Sequence, residues 1–373
     1  MAGRDARPAE DARPTEAGAL VTVHDASGAL LGMGYCNPAT TIAIRMLAWG
    51  EVPAIEELVA RRLRSALELR RRFVGTNENT NAYRLVNGDG DGLSGVVVDR
   101  YGDVLVVQLL TAGADRMRAT IVAALNELIH PRSIVERSQG AVRKQEGLED
   151  HTAVLAGESV ASTIATENGI KIKIDFEHGQ KTGYFLDQRD NRAIAGEIAA
   201  RARVLDAFCY QGGFSLAALK GGASKVVAVD TSARALETAR QNLELNDYPA
   251  TVVEFVHGEA GKLMAETANR FDLIILDPPP LARSRGDAER AGRLYVELNS
   301  LAIRALAPGG RLMTFSCSTH FRADDFVRAV RFSASNAGRN LRLLVHLGPG
   351  PDHPVLLGHG EGEYLTGLLL ADL

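Results

Sequence analysis

Between about residue 185 and residue 315, short apolar runs alternate with stretches of helical periodicity, and that alternation leaves few folds open to the chain. Strands are read at 203–207, 225–229, 252–256, 271–276 and 311–315, with helices at 214–220, 231–245 and about 290–306 between them. Repeats of this length predict a parallel, doubly wound α/β sheet, because a crossover helix returns the chain to run parallel to its predecessor. Stretches 341–345 and 364–370 close it as a terminal antiparallel pair, giving a mostly parallel sheet of seven strands.

Residues 179–373 are assigned to this domain, and the rest of the chain reads differently. Residues 1–18 are polar and proline-bearing, the composition of a disordered tail and not of a signal peptide. Residues 19–75 hold three short strands, a small β module, and then a helix at 55–72. That helix carries Arg61, Arg62, Arg64, Arg70, Arg71 and Arg72, which suit either phosphate contacts or a solvated face. Residues 76–178 alternate strands with a helix at 115–128 and are read as an α+β connector.

A hydrophobic share of 46% in 373 residues is ample for two or three cores. No run approaches the roughly 20 apolar residues that span a bilayer. A net charge of -4 argues against a uniformly basic nucleic-acid coat but not against a local basic face. Cys36, Cys209 and Cys317 are too few and too scattered for a disulfide framework or a zinc site, so a reducing cytoplasm is expected, and no metal.

Chemistry concentrates where the strands of the α/β domain end. Val204-Leu205-Asp206 runs into Ala207-Phe208-Cys209-Tyr210-Gln211-Gly212-Gly213, and paired glycines at a strand-to-helix turn admit a ligand close to the backbone. The second strand ends at Asp230, placed to accept hydrogen bonds from both ribose hydroxyls of a nucleoside, followed by Ser232. Both S-adenosylmethionine (SAM) and NAD fit such an acid, although the loop lacks the G-x-G-x-x-G spacing of dinucleotide sites. The fourth strand ends Leu276-Asp277-Pro278-Pro279-Pro280, where prolines remove backbone donors and leave a carboxylate and carbonyls to receive the amino group of a base. These three strand ends together favour SAM-dependent methyl transfer. The fifth ends Phe315-Ser316-Cys317-Ser318, which puts a thiol on the same rim as Asp277. Cytosine C5 is a weak nucleophile until a thiolate adds at C6, so a cysteine there fits methylation at C5. Ser318 or Thr319 is expected to cap the helix that follows and to bring its N-terminus near the thiol.

The run Gly183-Tyr184-Phe185-Leu186-Asp187-Gln188-Arg189-Asp190-Asn191-Arg192, the glycine loop, Asp-Pro-Pro, Phe-Ser-Cys-Ser and the late Pro351-Asp352-His353-Pro354-Val355 resemble the bacterial large-subunit rRNA cytosine-C5 methyltransferases. The likeness extends over about 19–373. It implies an N-terminal PUA domain, a central connector and a Rossmann-like class I methyltransferase domain, with large-subunit rRNA as partner. It further implies Cys317 as nucleophile, Asp277 as the base-orienting carboxylate, and a SAM site made by Asp206, Phe208, Tyr210, Gly212, Gly213, Asp230, Ser232, Glu259 and Asp277. By the same resemblance Gln188 and Arg189 are expected to support cofactor or substrate from above the crevice. Some relatives are dimers, so a homodimer is an expectation as well. This chain departs from the family in three places: Pro280 and Leu281 replace a Lys, Ser or Thr followed by Phe, the third-strand acid is Glu259 where Asp is common, and no His-Pro-Trp-type segment opens the β module, which therefore reads as truncated. Three other readings stand beside this one: methylation of a guanine nitrogen, a small-molecule methyltransferase, and a non-catalytic RNA-binding assembly factor with a SAM fold.

Overall fold

The computed structural model describes residues 16–177, 179–282, 284–318, 320–358 and 362–373. Most of the opening stretch read as a tail, residues 1–15, lies outside them. The described residues divide into two compact units, one drawn from Met1–Thr166, Ile174–Leu186 and Pro351–Gly362, the other from Glu167–Lys173, Asp187–Gly350 and Glu363–Leu373.

The first unit opens with a three-stranded antiparallel sheet of β1 (Ala19–His24), β2 (Leu30–Cys36) and β3 (Ile44–Trp49), followed by α1 (Ile55–Phe73). Next come β4 (Ala82–Asn87), β5 (Val96–Tyr101), β6 (Val104–Leu109), α2 (Ala112–Arg116), α3 (Arg118–Ile129), β7 (Ser133–Ser138), α4 (Ala141–Gln145) and β8 (His151–Gly157). Strands β4 to β8 pair in sequence order, and only β6 and β7 run parallel, because a helical crossover joins them. Leu58, Val59, Leu63 and Leu67 of α1 and Ile121 and Leu125 of α3 bury against Val96, Val98, Leu105 and Val107 of the sheet. The hairpin of β9 (Ser162–Glu167) and β10 (Ile170–Asp175) contributes residues to both units.

Not all of the arginines on α1 are offered to solvent. Arg70 is fully buried, pairs with Asp91 at 2.5 and 2.8 Å, and donates to the carbonyls of Arg84 (2.8 Å) and Asp352 (2.6 Å). A buried guanidinium with four acceptors is a structural cation, so Arg70 leaves the set that could meet phosphate. Arg61 pairs with Glu51, and Arg64, Arg71 and Arg72 stay exposed. His353 is likewise buried, bonded through Nδ1 to Asp352 at 3.1 Å, and serves the interior of this unit.

The second unit contains α5 (Arg189–Glu197), β11 (Arg203–Ala207), α6 (Gly213–Lys220), β12 (Lys225–Asp230), α7 (Ala233–Leu245), β13 (Val253–His257), α8 (Ala260–Ala265), β14 (Phe271–Leu276), α9 (Ala288–Ala305), β15 (Leu306–Ser316), α10 (Ala323–Ala337), β16 (Leu341–Leu347) and β17 (Thr366–Asp372). The sheet order is β13-β12-β11-β14-β15-β17-β16, parallel except for β17, which runs against both of its neighbours. Successive strands fan out to one side of β11 and then, from β14, to the other. The order therefore reverses between β11 and β14, where doubly wound sheets open a crevice beyond their C-terminal ends.

Strand β15 starts five residues earlier than its sequence suggests. Leu306 already pairs with Phe271, pairing resumes at Leu273 with Arg311, and the intervening Ala-Pro-Gly-Gly bulges out with Gly309 at φ +73°. Pro308 and the two glycines read as a turn because the bulge uses turn residues.

Candidate active site

Strand register determines which residues meet at the rim. Ala207 lies opposite Val229 on one side and Leu276 on the other, and Leu276 lies opposite Thr314. The residues one step beyond that row include Phe208, Asp230 and Asp277, and Cys317 follows three positions past Thr314. The strand-terminal residues singled out in the sequence are thus brought to one edge of the sheet.

The turn after β11 is tightly wound. Phe208 (φ +66°), Tyr210 (φ +48°) and Gly212 (φ +77°) all adopt left-handed backbone, which side chains other than glycine rarely accept. A Cβ on Gly212 would stand 3.1 Å from the Ala239 Cβ, and a residue carrying it would also have to adopt φ +77°, so glycine suits the N-cap of α6 on both counts. Such a strained turn persists only when its surroundings fix it. Asp206 does so from inside, its Oδ2 accepting from the Ser215 amide (2.9 Å) and hydroxyl (2.6 Å). Asp230 does so from the side, through the Tyr210 amide at 2.9 Å.

Asn242 on α7, which sequence reading passed over, completes the frame. It is fully buried, donates to the Gln211 carbonyl at 3.1 Å and accepts from the Lys173 amide at 2.8 Å. Its signal was a polar residue on the apolar stripe of a helix, between Ala239 and Leu243. Asn242→Ala strips partners from two backbone groups and should cost about 2 kcal/mol of stability, read as a lower denaturation midpoint.

The donor set matches SAM. Asp206 is wholly buried, and burial, reinforced by the charge of Asp230, pushes its carboxyl up to about 6. Its Oδ1 is buried and makes no hydrogen bond among the described residues, the condition of a carboxylate that meets a cationic ligand group. Asp230 uses Oδ2 for Tyr210 and Oδ1 for the Ser232 amide (2.8 Å), and a carboxylate retains two further acceptor sites for a pair of ribose hydroxyls. Ser232 itself caps α7 through the Ala235 amide at 3.2 Å. Glu259 stands exposed at the start of α8, just past the end of β13, with no capping bond.

On the other side of the crevice Gln188 donates to Asp277 Oδ2 at 3.0 Å and is held by Asn191, whose amide reaches Gln188 Oε1 at 2.6 Å. Arg189, beside it, is buried and pairs with Asp190 at 2.9 Å. The Cys317 thiol lies 3.7 Å from the carbonyl of Pro278, the residue after Asp277. Of the other cysteines, Cys209 is buried, which holds its thiol well above the usual range, and Cys36 is raised by burial as well.

The expected cap is not made. Helix α10 starts at Ala323 with Arg322 at its N-cap and no side-chain bond there. Ser318 instead accepts from the amides of Leu281 (3.1 Å) and Ala282 (3.3 Å), tying the cysteine loop to the loop after Asp277. Thr319 lies outside the described residues.

The profile of the S-adenosylmethionine-dependent methyltransferase family matches residues 89–337, and a PUA-like domain profile matches residues 7–49. The ribosomal RNA large subunit methyltransferase I of Photobacterium profundum is 42% identical over 355 residues, 94% of this chain and 89% of that protein. The protein of the same name from Tolumonas auensis is 41% identical over 361 residues, covering 95% and 91%. A solved structure from Streptococcus mutans, described as a SAM-dependent methyltransferase, shares the fold with a TM-score of 0.81 at 22% identity, over 96% of this chain and 93% of that one. The chain belongs to the S-adenosylmethionine-dependent methyltransferases, in the family that holds these ribosomal RNA large subunit methyltransferases I, and it carries a PUA-like domain.

Proposed function

We propose that this enzyme methylates C5 of a cytosine in large-subunit rRNA, in the cytoplasm, with Cys317 as the nucleophile. The placement of Cys317 and Asp277 together on the rim between β14 and β15 carries this reading, since N-methylation requires no thiol at that position. The RNA class comes from the relatives' names.

Bound SAM supplies a methyl group made electrophilic by its sulfonium. Asp206 would receive the cationic amino end, with the turn from Phe208 through Gly213 beside it. Asp230 would take the ribose, with Ser232 in support, and Glu259 would border the adenine. Gln188 fixes the Asp277 carboxylate, and Arg189 backs the same wall. An unpaired or flipped cytosine enters beside Asp277, which orients its ring nitrogen and amino group. The Cys317 thiolate adds to C6, its electron pair forming the S–C6 bond while the ring π electrons move to make C5 nucleophilic. C5 then takes the methyl group, its electron pair forming the C5–CH3 bond as the S–CH3 pair stays with sulfur, which departs as a neutral thioether. Loss of the C5 proton to a base leaves the C5–H electron pair to re-form the C5–C6 double bond, and the S–C6 pair departs with Cys317 as thiolate.

The test is transfer of labelled methyl from SAM to unmodified large-subunit rRNA, followed by digestion to nucleosides. Label in 5-methylcytidine is expected. Label in a methylguanosine overturns the cytosine assignment, and SAM binding without transfer to any RNA points to a non-catalytic role.

A further inference from the structure

One large polar side chain beneath the cysteine loop has no part in the chemistry above. Tyr295, on α9, is completely buried, yet its hydroxyl is bonded on both sides of the nucleophile. Ser316 Oγ donates to it at 2.8 Å, and Ser318 Oγ lies 3.1 Å away. Ser318 Oγ is also the acceptor for the Leu281 and Ala282 amides, so a single hydroxyl cluster joins the residues flanking Cys317 to the loop that follows Asp277.

The ring that carries this hydroxyl is itself fixed. Phe321 stacks on it at 5.1 Å between centroids, and Phe326 meets it edge-on at 5.2 Å. Phe321 belongs to the same cysteine loop, and its amide donates to the Ser318 carbonyl at 3.1 Å. Burial, with the nearby charges of Cys317 and Asp277 adding to it, raises the Tyr295 hydroxyl above the ordinary phenol range, so it remains protonated at the pH of the reaction.

We infer that Tyr295 is a positioning residue for the methyl-transfer reaction: it clamps the peptide on either side of Cys317 and, through Ser318, holds that peptide in register with the Asp277 loop. The inference rests on Cys317 being the nucleophile. Two loops from separate strands must present a sulfur and a carboxylate to one flat ring, and a displacement of the order of 1 Å between them is enough to lower the rate about a hundredfold. Among the described residues no backbone pairing continues past Ser316 in β15, so side chains must supply that registration.

Tyr295→Phe keeps the ring between Phe321 and Phe326 and removes only the oxygen. Its melting temperature should stay within a few degrees of wild type, while Tyr295→Ala would also lose the packing. At saturating SAM and RNA, kcat should fall about tenfold to a hundredfold with the KM for SAM within about twofold. RNA carrying 5-fluorocytosine gives the separating measurement. Fluorine occupies the position of the C5 proton, so the adduct, once methylated, cannot eliminate the enzyme and accumulates as a covalent complex. Its formation should be slowed in Tyr295→Phe by the same factor as kcat. Ser318→Ala should show the same loss, and the double variant should be no worse than either alone, because both act through one cluster. Normal adduct formation by Tyr295→Phe would overturn the positioning role alone. Absence of any adduct with the wild-type enzyme would remove the nucleophile reading, and this one with it.

Discussion

Cys317→Ala is expected to lose methyl transfer to large-subunit rRNA by on the order of a thousandfold or more, while binding SAM as the wild type does. The size follows from what the thiolate contributes. Without covalent addition at C6, the C5 carbon keeps its place in an aromatic ring and has little electron density to offer the sulfonium methyl. Of the groups proposed to hold the cofactor, Asp206 and Asp230 lie at the ends of β11 and β12 and Gly212 caps α6, whereas Cys317 follows β15, so affinity for SAM should stay within about twofold. Cys317→Ser should behave like the alanine variant, since an alkoxide is far harder to form at neutral pH than a thiolate. The 5-fluorocytosine complex should form with wild type and not with either variant. A Cys317→Ala enzyme that still labels its RNA would rule out covalent catalysis and move the target to a nitrogen, whose lone pair requires no prior addition.

The parts of this site that could be read in the sequence are those that parallel sheets place by rule. Asp206, Asp230, Asp277 and Cys317 each sit at or just after the C-terminal end of an apolar run, and the strand order then brings them to one edge. The parts that could not be read are those in which a side chain acts across the fold. Tyr295 and Asn242 lie within amphipathic helices, where the helical period marks their faces as core but cannot say what a buried hydroxyl or amide is bonded to. Ser318 shows the limit from the other direction. A serine shortly before a helix reads locally as a cap, yet its oxygen is taken by amides 36 and 37 residues away. Arg70 reads as either a phosphate ligand or part of a solvated face because its position in an arginine-rich run says nothing of Asp91, 21 residues on, which neutralises it inside the core. In each case the deciding partner is distant in sequence, and local pattern carries no information about it.

Affinity for SAM should fall about tenfold for each pH unit below pH 6, and Asp206 is the reason. Burial raises this carboxyl from 3.8 to about 6 in the free protein. An ammonium group set against its bare Oδ1 favours the charged form and pulls the value down again. With Asp206 as the proposed partner of that group, SAM is expected to bind the deprotonated state, and below pH 6 binding would also expel a proton. The amino group of the ligand, near pKa 8, remains protonated throughout the range from pH 5 to pH 7, so the slope belongs to the protein. The stability of the free protein runs in the opposite sense. Between pH 3.8 and about 6 the folded chain retains a proton that the unfolded chain has released, so this group's contribution is complete below that window and is lost as pH rises through it. Asp206→Asn separates the two effects. The amide preserves the bonds from Ser215 but offers no charge, so the free variant should melt higher than wild type at pH 8 while binding SAM about tenfold to a hundredfold more weakly. Its affinity should be flat between pH 5 and pH 7. Calorimetric titration across that range decides the matter: a wild type without the slope, or a variant that keeps it, would show that Asp206 does not face the cationic end of the cofactor.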